Sequence, residues 1–79
     1  MRRYFFNIQD GSDFPDKEGT ELPDMKAVRV EAIRASAGML RDNASYWDGT
    51  EWRMNVVDDD GVTVLKLRFS AEPGPAPDR

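Results

Sequence analysis

The residues of this chain that could do chemistry are mainly carboxylates, and many of them lie near the N-terminus. Residues 3–24 read RYFFNIQDGSDFPDKEGTELPD and hold six acids: Asp10, Asp13, Asp16, Glu18, Glu21 and Asp24. Such oxygen ligands suit a hard cation such as calcium, or a carboxylate pair for acid–base catalysis. Their spacing does not follow the EF-hand pattern, which needs acids at alternating positions, then a glycine and a distal glutamate. Turn formation and helix capping explain the same acids, and we favour that interpretation.

A second acidic run, Asp58-Asp59-Asp60-Gly61, lies between two alternating apolar segments, where a type I turn with a left-handed glycine accounts for it. We therefore predict neither a metal site nor a cofactor. Asp24 should cap a helix, so its removal should cost about 0.5–2 kcal/mol. Neutralising Asp13 and Asp16 should change stability little.

Nucleophilic catalysis lacks its usual residues, because the chain contains neither histidine nor cysteine. The serines have no evident base, and the sequence has no Ser-x-x-Lys pattern and no glycine-rich phosphate loop. A domain of this size is also too small to build a deep cleft. We predict that the protein is not an enzyme.

Four segments have the patterns of regular structure and must position these residues. Tyr4 to Ile8 is typical of a strand, and residues 20–22 are long enough for a short returning strand. A run of helix formers, MKAVRVEAIRASAGMLRDN, follows Asp24, and TEWRMNVVDDDGVTVLKLRF holds two strands around a turn. The sequence predicts an α+β fold of the type ββαββ: a β-hairpin, an α-helix and a β-hairpin. The result is a four-stranded, mainly antiparallel sheet with one helix packed on one face.

Residues 1–69 should form this single small domain. The last ten residues, SAEPGPAPDR, contain three prolines and a glycine, so residues 70–79 should be a flexible tail. The helix should contact the sheet through two adjoining apolar stripes. These stripes are Val28, Ala32, Ala35 and Met39, and beside them Val30, Ile33, Ala37 and Leu40. Tyr46 and Trp47 should anchor the next loop or, alternatively, form a hot spot for a partner.

Strand alternation assigns side chains to the two faces of the sheet. The core face is predicted to carry Tyr4, Phe6, Ile8, Trp52, Met54, Val56, Leu65, Leu67 and Phe69. The uncovered face mixes basic and apolar residues, and its candidate interaction surface is Arg3, Phe5, Arg53, Val57, Val64, Lys66 and Arg68. We consider three roles for this face: a solvated surface, a contact with a second copy, and a nucleic-acid platform with Phe5 as a stacking ring.

Several segments resemble an uncharacterised family of short bacterial proteins that carry a domain of unknown function. The resemblance covers roughly residues 2–69 and rests on RYFFNIQDG, DKEGTELPD, KAVRVEAIRA with Ala27, Glu31 and Ala32, and DDDG. This family implies no activity and no site residues. A more distant likeness, to the HicB-type antitoxins, is carried by Leu22, Pro23, Asp24, Ala27, Glu31 and Ala32. It implies binding to a partner protein, although the prominent second hairpin departs from that family.

The function that we predict is a small non-enzymatic protein-interaction domain, which forms a homodimer or binds another bacterial protein. A weak RNA- or DNA-binding role is the alternative, and the formal net charge of −4 disfavours it. We see neither a signal peptide nor a membrane span in the sequence, so we expect a cytoplasmic location and no membrane partner.

Overall fold

The computed structural model describes residues 1–75, which form five strands and one helix. The strands are β1 (Arg2–Gln9), β2 (Asp13–Phe14), β3 (Thr20–Leu22), β4 (Trp52–Asp58) and β5 (Thr63–Phe69), and the helix is α1 (Met25–Asp42). All strand pairs are antiparallel, so the predicted α+β fold with one helix on a sheet is confirmed. The returning strand predicted at residues 20–22 is present as β3, and the strand count differs by one because the two-residue strand β2 precedes it. Within residues 1–75, no helix has the length and apolar character that a membrane span requires.

The strand order places β1 and β4 in the interior of the sheet and β5 at one edge. β1 pairs with β4 over residues 4–9, whereas β3 pairs with residues 2–4 of β1 and β2 with residues 8–9. Because Tyr4 pairs with both β3 and β4, and Ile8 with both β2 and β4, the two short strands share the other edge of β1. Residues 5–7 of β1 therefore have no strand partner on that edge within the described range.

The buried core lies between α1 and the two interior strands. It consists of Tyr4, Val28, Ala32, Trp52, Met54 and Val56, with half-buried side chains packed around it. The first predicted helix stripe contacts the sheet through Val28, Ala32 and the half-buried Ala35, but its last member, Met39, is exposed. The second is wrong for three of its four members, because Val30, Ile33 and Ala37 are exposed. A helix about 10 Å wide covers about two strands spaced ~4.8 Å apart, so one helix cannot bury both stripes or the whole sheet.

The predicted turn between β4 and β5 is confirmed by its hydrogen bonds. The N–H of Gly61 donates to the carbonyl of Asp58 at 3.0 Å, and Gly61 has a φ of 80°. A bulge follows, since Val57 pairs with Thr63 while Val56 pairs with Leu65. Val64 is the extra residue, and it packs against the buried core. Its predicted place on the uncovered face is therefore wrong, because the bulge interrupts the alternation on which that prediction depended.

The division into a domain of residues 1–69 and a tail of residues 70–79 stays a prediction. Residues 70–75 add neither a helix nor a strand, and the N–H of Ala71 donates to the carbonyl of Gly49 at 3.1 Å. The predicted flexibility of residues 76–79 concerns a segment outside the described residues.

The helix cap predicted at Asp24 is confirmed, because its carboxylate accepts the N–H of Ala27 at 2.8 Å. We expect the Asp24→Ala variant to unfold with a free energy about 0.5–2 kcal/mol lower, since a helix N–H loses its partner. Urea denaturation followed by circular dichroism measures this difference. Asp24→Asn, which keeps an accepting oxygen, is the matched control and should retain most of the stability. Equal losses in the two variants would show that the cap is not the source.

Candidate interaction surface

Residues 10–19, which include the short strand β2 and which we call the acidic loop, are organised by one residue, Asp16. Its Oδ2 accepts the N–H of Phe6 at 3.1 Å, which satisfies a backbone group of β1 that no described strand pairs with. Its Oδ1 accepts the N–H groups of Glu18 and Gly19 at 3.2 and 3.0 Å. In return, the N–H of Asp16 donates to the side-chain oxygen of Asn7 at 2.9 Å. The carboxylate thus takes the place of a strand partner for the N–H of Phe6.

The charge of Asp16 follows from these contacts. Partial burial works to raise the pKa of this carboxyl, but the N–H groups of Gly19, Phe6 and Glu18 together outweigh it, and the pKa is lowered. The expectation that Asp16 can be neutralised at little cost therefore does not hold. Asp13 differs, because within residues 1–75 its exposed carboxylate accepts only the side-chain amide of Gln9.

The second acidic run brings Asp58, Asp59 and Asp60 within reach of one cation. The guanidinium of Arg2 lies among them, with its Nη2 at 3.4, 2.6 and 2.9 Å from their respective carboxylate oxygens. Asp58 also forms part of the turn, and its Oδ1 accepts the N–H groups of Val62 and Asp60. The N–H of Val62 contributes most to lowering the pKa of Asp58, and Asp60 and Arg2 add to it against the effect of burial. Turn geometry and an internal cation thus account for this cluster.

The connection between α1 and β4 is held by Trp47, whereas Tyr46 is exposed. The indole N–H of Trp47 donates to the carbonyl of Thr50 at 2.9 Å, and its ring lies 5.3 Å from that of Phe69. The hydroxyl and N–H of Thr50 both donate to Asp48, and the hydroxyl is the larger cause of the lowered pKa of that carboxyl. Trp47 therefore acts as the predicted loop anchor.

Two residues of the predicted interaction surface belong to the side of the uncovered face near β3. Arg3 donates to the carbonyl of Glu18 at 2.7 Å and pairs with the carboxylate of Glu21 at 2.9 Å. Phe5 is half-buried beside the acidic loop, where a Cβ at Gly19 would lie 2.9 Å from its ring. The loop therefore occupies part of the surface that a nucleic-acid platform would need.

The other members of the predicted surface lie on β4 and β5. Arg53 is opposite Arg68 and pairs with Glu51 at 3.0 Å, and the half-buried Val57 is opposite Phe5. Lys66 and Arg68 are both exposed on the edge strand, and neither forms an ion pair with any other residue in the range 1–75. The structure thus brings Arg53, Lys66 and Arg68 together, holds Arg3 and Phe5 elsewhere, and packs the half-buried Val64 against the core.

An apolar groove lies between α1 and β5, on the opposite side of the sheet from this uncovered face. Its volume is about 370 Å³, and it is lined by Ile33, Ser36, Ala37, Leu40, Trp52, Leu67, Arg68 and Phe69. We call this surface the α1–β5 groove. Ile33 is 53 % exposed and Phe69 is 49 % exposed, although the sequence places both in the core. The groove exists because α1 covers the interior strands and leaves β5 only partly covered.

The sequence contains a signal for this groove, namely the width of the apolar face of α1. The two adjoining stripes together form an apolar face that is wider than a helix needs for packing on a sheet. Nothing in the residues shows which stripe is buried, because that depends on where the helix crosses the strands. The roles of Asp16 and Arg2 also depend on contacts between segments that are distant in the sequence.

Comparison with known proteins places the chain within a described family. The model of the family described as "Domain of unknown function (DUF6894)" matches residues 3–70. No curated protein and no solved structure matches the chain.

Proposed function

We propose a protein-binding role for this chain, which belongs to the family described as a domain of unknown function (DUF6894). The observation that supports this role is the α1–β5 groove, where an apolar surface adjoins a strand edge that no other described strand pairs with. Exposed apolar surface beside polar residues is typical of sites that bind other proteins. The proposed role is non-enzymatic, and a bacterial, cytoplasmic setting stays a prediction from the sequence.

The groove supports protein binding better than the uncovered face supports nucleic-acid binding. Phosphate contacts need available cations, and Arg3 and Arg53 are each paired with a carboxylate, at 2.9 and 3.0 Å. Phe5 is half-buried beside the acidic loop, whereas stacking of a base needs an open ring face. Nucleic-acid binding is therefore the second candidate.

A photo-crosslinking amino acid placed at position 33 tests the proposed role in cells. Ile33 lies in the groove and is already exposed, so we expect this substitution to leave the fold intact. Position 62 is the matched control, because Val62 is similarly exposed but lies outside the groove. We expect crosslinks to a polypeptide from position 33 and none from position 62, identified by mass spectrometry.

The same experiment distinguishes the kinds of partner. A crosslink to a second copy of the chain would identify a homodimer, and a crosslink to another chain would identify a separate protein. Leu67→Asp, which places a charge in the groove, should abolish the crosslink from position 33. Equal crosslinking from positions 33 and 62, or none from either, would contradict a binding role for the groove.

A further inference from the structure

We infer that the α1–β5 groove binds an extended segment of another protein in which acidic and apolar residues alternate, and that this segment adds to β5 as a further strand. This inference rests on the proposed binding role and specifies the chemistry of the partner. Three observations support it: the free edge of β5 in the described structure, the position of the groove beside that edge, and the cations on the other face of the same strand.

The free edge of β5 provides the backbone contacts. β5 is seven residues long and pairs with β4 on one side, while no strand among residues 1–75 pairs with its other side. The N–H and C=O groups of an edge strand are a template for an added strand, which supplies affinity through main-chain hydrogen bonds. A strand added here would lie about 4.8 Å beyond β5 and would have its own two faces.

The inner face of an added strand would meet the groove. Leu67 and Phe69 of β5 and Ile33 and Ala37 of α1 line it, and Ile33 and Phe69 are each about half exposed. Side chains that alternate toward this face would be surrounded by apolar walls, so apolar residues suit these positions. Each such side chain would remove apolar surface of both proteins from water.

The outer face of an added strand would meet Lys66 and Arg68, whose side chains alternate along β5 with those of Leu67 and Phe69, and Arg68 also borders the groove. Both are exposed on β5 and have no carboxylate partner in the described part of the chain. Opposite charges on neighbouring strands stabilise their pairing, and like charges destabilise it. Acidic side chains at alternating positions of the partner would therefore complement this strand. Arg29, one helical turn before Ile33 on α1, adds a further positive charge on the stripe that leads to the groove.

The same charges make a second copy of β5 a poor occupant. Pairing the whole of residues 63–69 with its own antiparallel copy sets Lys66 opposite Lys66. If the copy is shifted by two residues toward the C-terminus, Lys66 lies opposite Arg68. A shift in the other direction brings the bulge at Val64 into the paired region. Basic residues on an edge are a common protection against self-pairing, and here they also select an acidic partner.

Synthetic peptides test this inference with the full chain. The probe is a capped seven-residue peptide in which four glutamates alternate with valine, leucine and valine. One control peptide has lysine in place of each glutamate, and another has the same composition without alternation. We expect the acidic alternating peptide to shift the NMR signals of the amides of residues 63–69 and of Ile33 and Ala37, and the two controls to leave them unchanged.

A charge-reversed variant makes the test specific. Lys66→Glu combined with Arg68→Glu should weaken binding of the acidic peptide at least tenfold and should enable binding of the lysine peptide. Both positions are exposed, so the circular dichroism spectrum of this variant should match that of the wild type. If it does not, the Lys66→Gln, Arg68→Gln double variant replaces it in the binding test. Binding of the acidic peptide that is unchanged in both variants would overturn the inference.

Other outcomes separate this inference from the proposed function. If acidic and basic peptides shift the groove amides equally, the groove binds proteins but the partner chemistry inferred here is wrong. If no peptide binds and the β5 amides are protected in a dimer, the occupant is a second copy and the inference is again wrong. If no peptide binds and position 33 forms no crosslink, both proposals fail.

Discussion

Replacing Asp16 with alanine should lower the free energy of unfolding by about 2–3 kcal/mol, because it leaves three backbone N–H groups without their acceptor. These groups belong to Phe6, Glu18 and Gly19, and the N–H of Phe6 lies where no strand in residues 1–75 pairs with that edge of β1. Hydrogen bonds to a charged group are stronger than those between neutral groups, so the loss should exceed that of an ordinary loop contact. Urea denaturation gives the value directly.

Asp13→Ala is the matched control for this prediction. Its carboxylate lies in the same loop, but among the described residues it accepts only the side chain of Gln9, so its removal should change stability by less than about 0.5 kcal/mol. Asp16→Asn should fall between the two, because one amide oxygen remains to accept. Similar values for Asp13→Ala and Asp16→Ala would show that the loop only connects the strands.

The lowered pKa of Asp16 also fixes the direction of the pH dependence. A carboxyl with a lower pKa in the folded state contributes its full stability above the unfolded value of 3.8, and the contribution is lost as the pH falls through the folded value. The wild type should therefore lose stability below about pH 4, and Asp16→Ala should lose less over the same range. Asp58 and Asp48, whose pKa values are also lowered, should account for part of the remaining slope.

Gly19→Ala should destabilise the protein by about 2–4 kcal/mol, for two separable reasons. The φ of Gly19 is 72°, a left-handed conformation that an L residue adopts only at a cost. An added Cβ would also lie 2.9 Å from the carbonyl oxygen of Tyr4, from the Cγ of Arg3 and from the ring of Phe5. The backbone of β1 cannot move away without disturbing its pairing with β4. Thermal or urea unfolding measures the loss.

Gly61→Ala separates the two reasons. Gly61 has a similar φ of 80°, but a Cβ added there would meet no neighbouring group of residues 1–75 within 4 Å. Only the conformational cost of about 1 kcal/mol should therefore remain. The difference between the two variants then gives the cost of steric overlap. Equal losses would mean that the acidic loop is not packed against β1.

The contacts of Asp16 and Gly19 with β1 indicate that the acidic loop has a structural role at one edge of the sheet. The α1–β5 groove lies at the other edge, so substitutions in the loop should affect stability, and substitutions of Ile33, Lys66 or Arg68 should affect binding. This separation lets the proposed binding role be tested with variants that remain folded.

Local residue chemistry was enough to predict much of this fold. The alternating runs predicted β1, β4 and β5, the Asp-Gly turn predicted their last connection, and Asp24 predicted the start of α1. Each of these features depends on residues within a few positions of one another, so the local sequence is enough to predict it. The family resemblance over most of the chain is also confirmed.

Tertiary structure decided which stripe of α1 is buried, which carboxylate is structural and where the candidate binding surface lies. Alternation places Leu67 and Phe69 on the core face, and Leu67 does pack half-buried against the core. One helix is too narrow to cover all the strands, so Phe69 remains 49 % exposed at the groove. Asp13 and Asp16 are the same residue type in one loop, and only Asp16 lies opposite the gap between β2 and β3. Such outcomes depend on distances between segments far apart in the chain, which residue types and spacing do not encode locally.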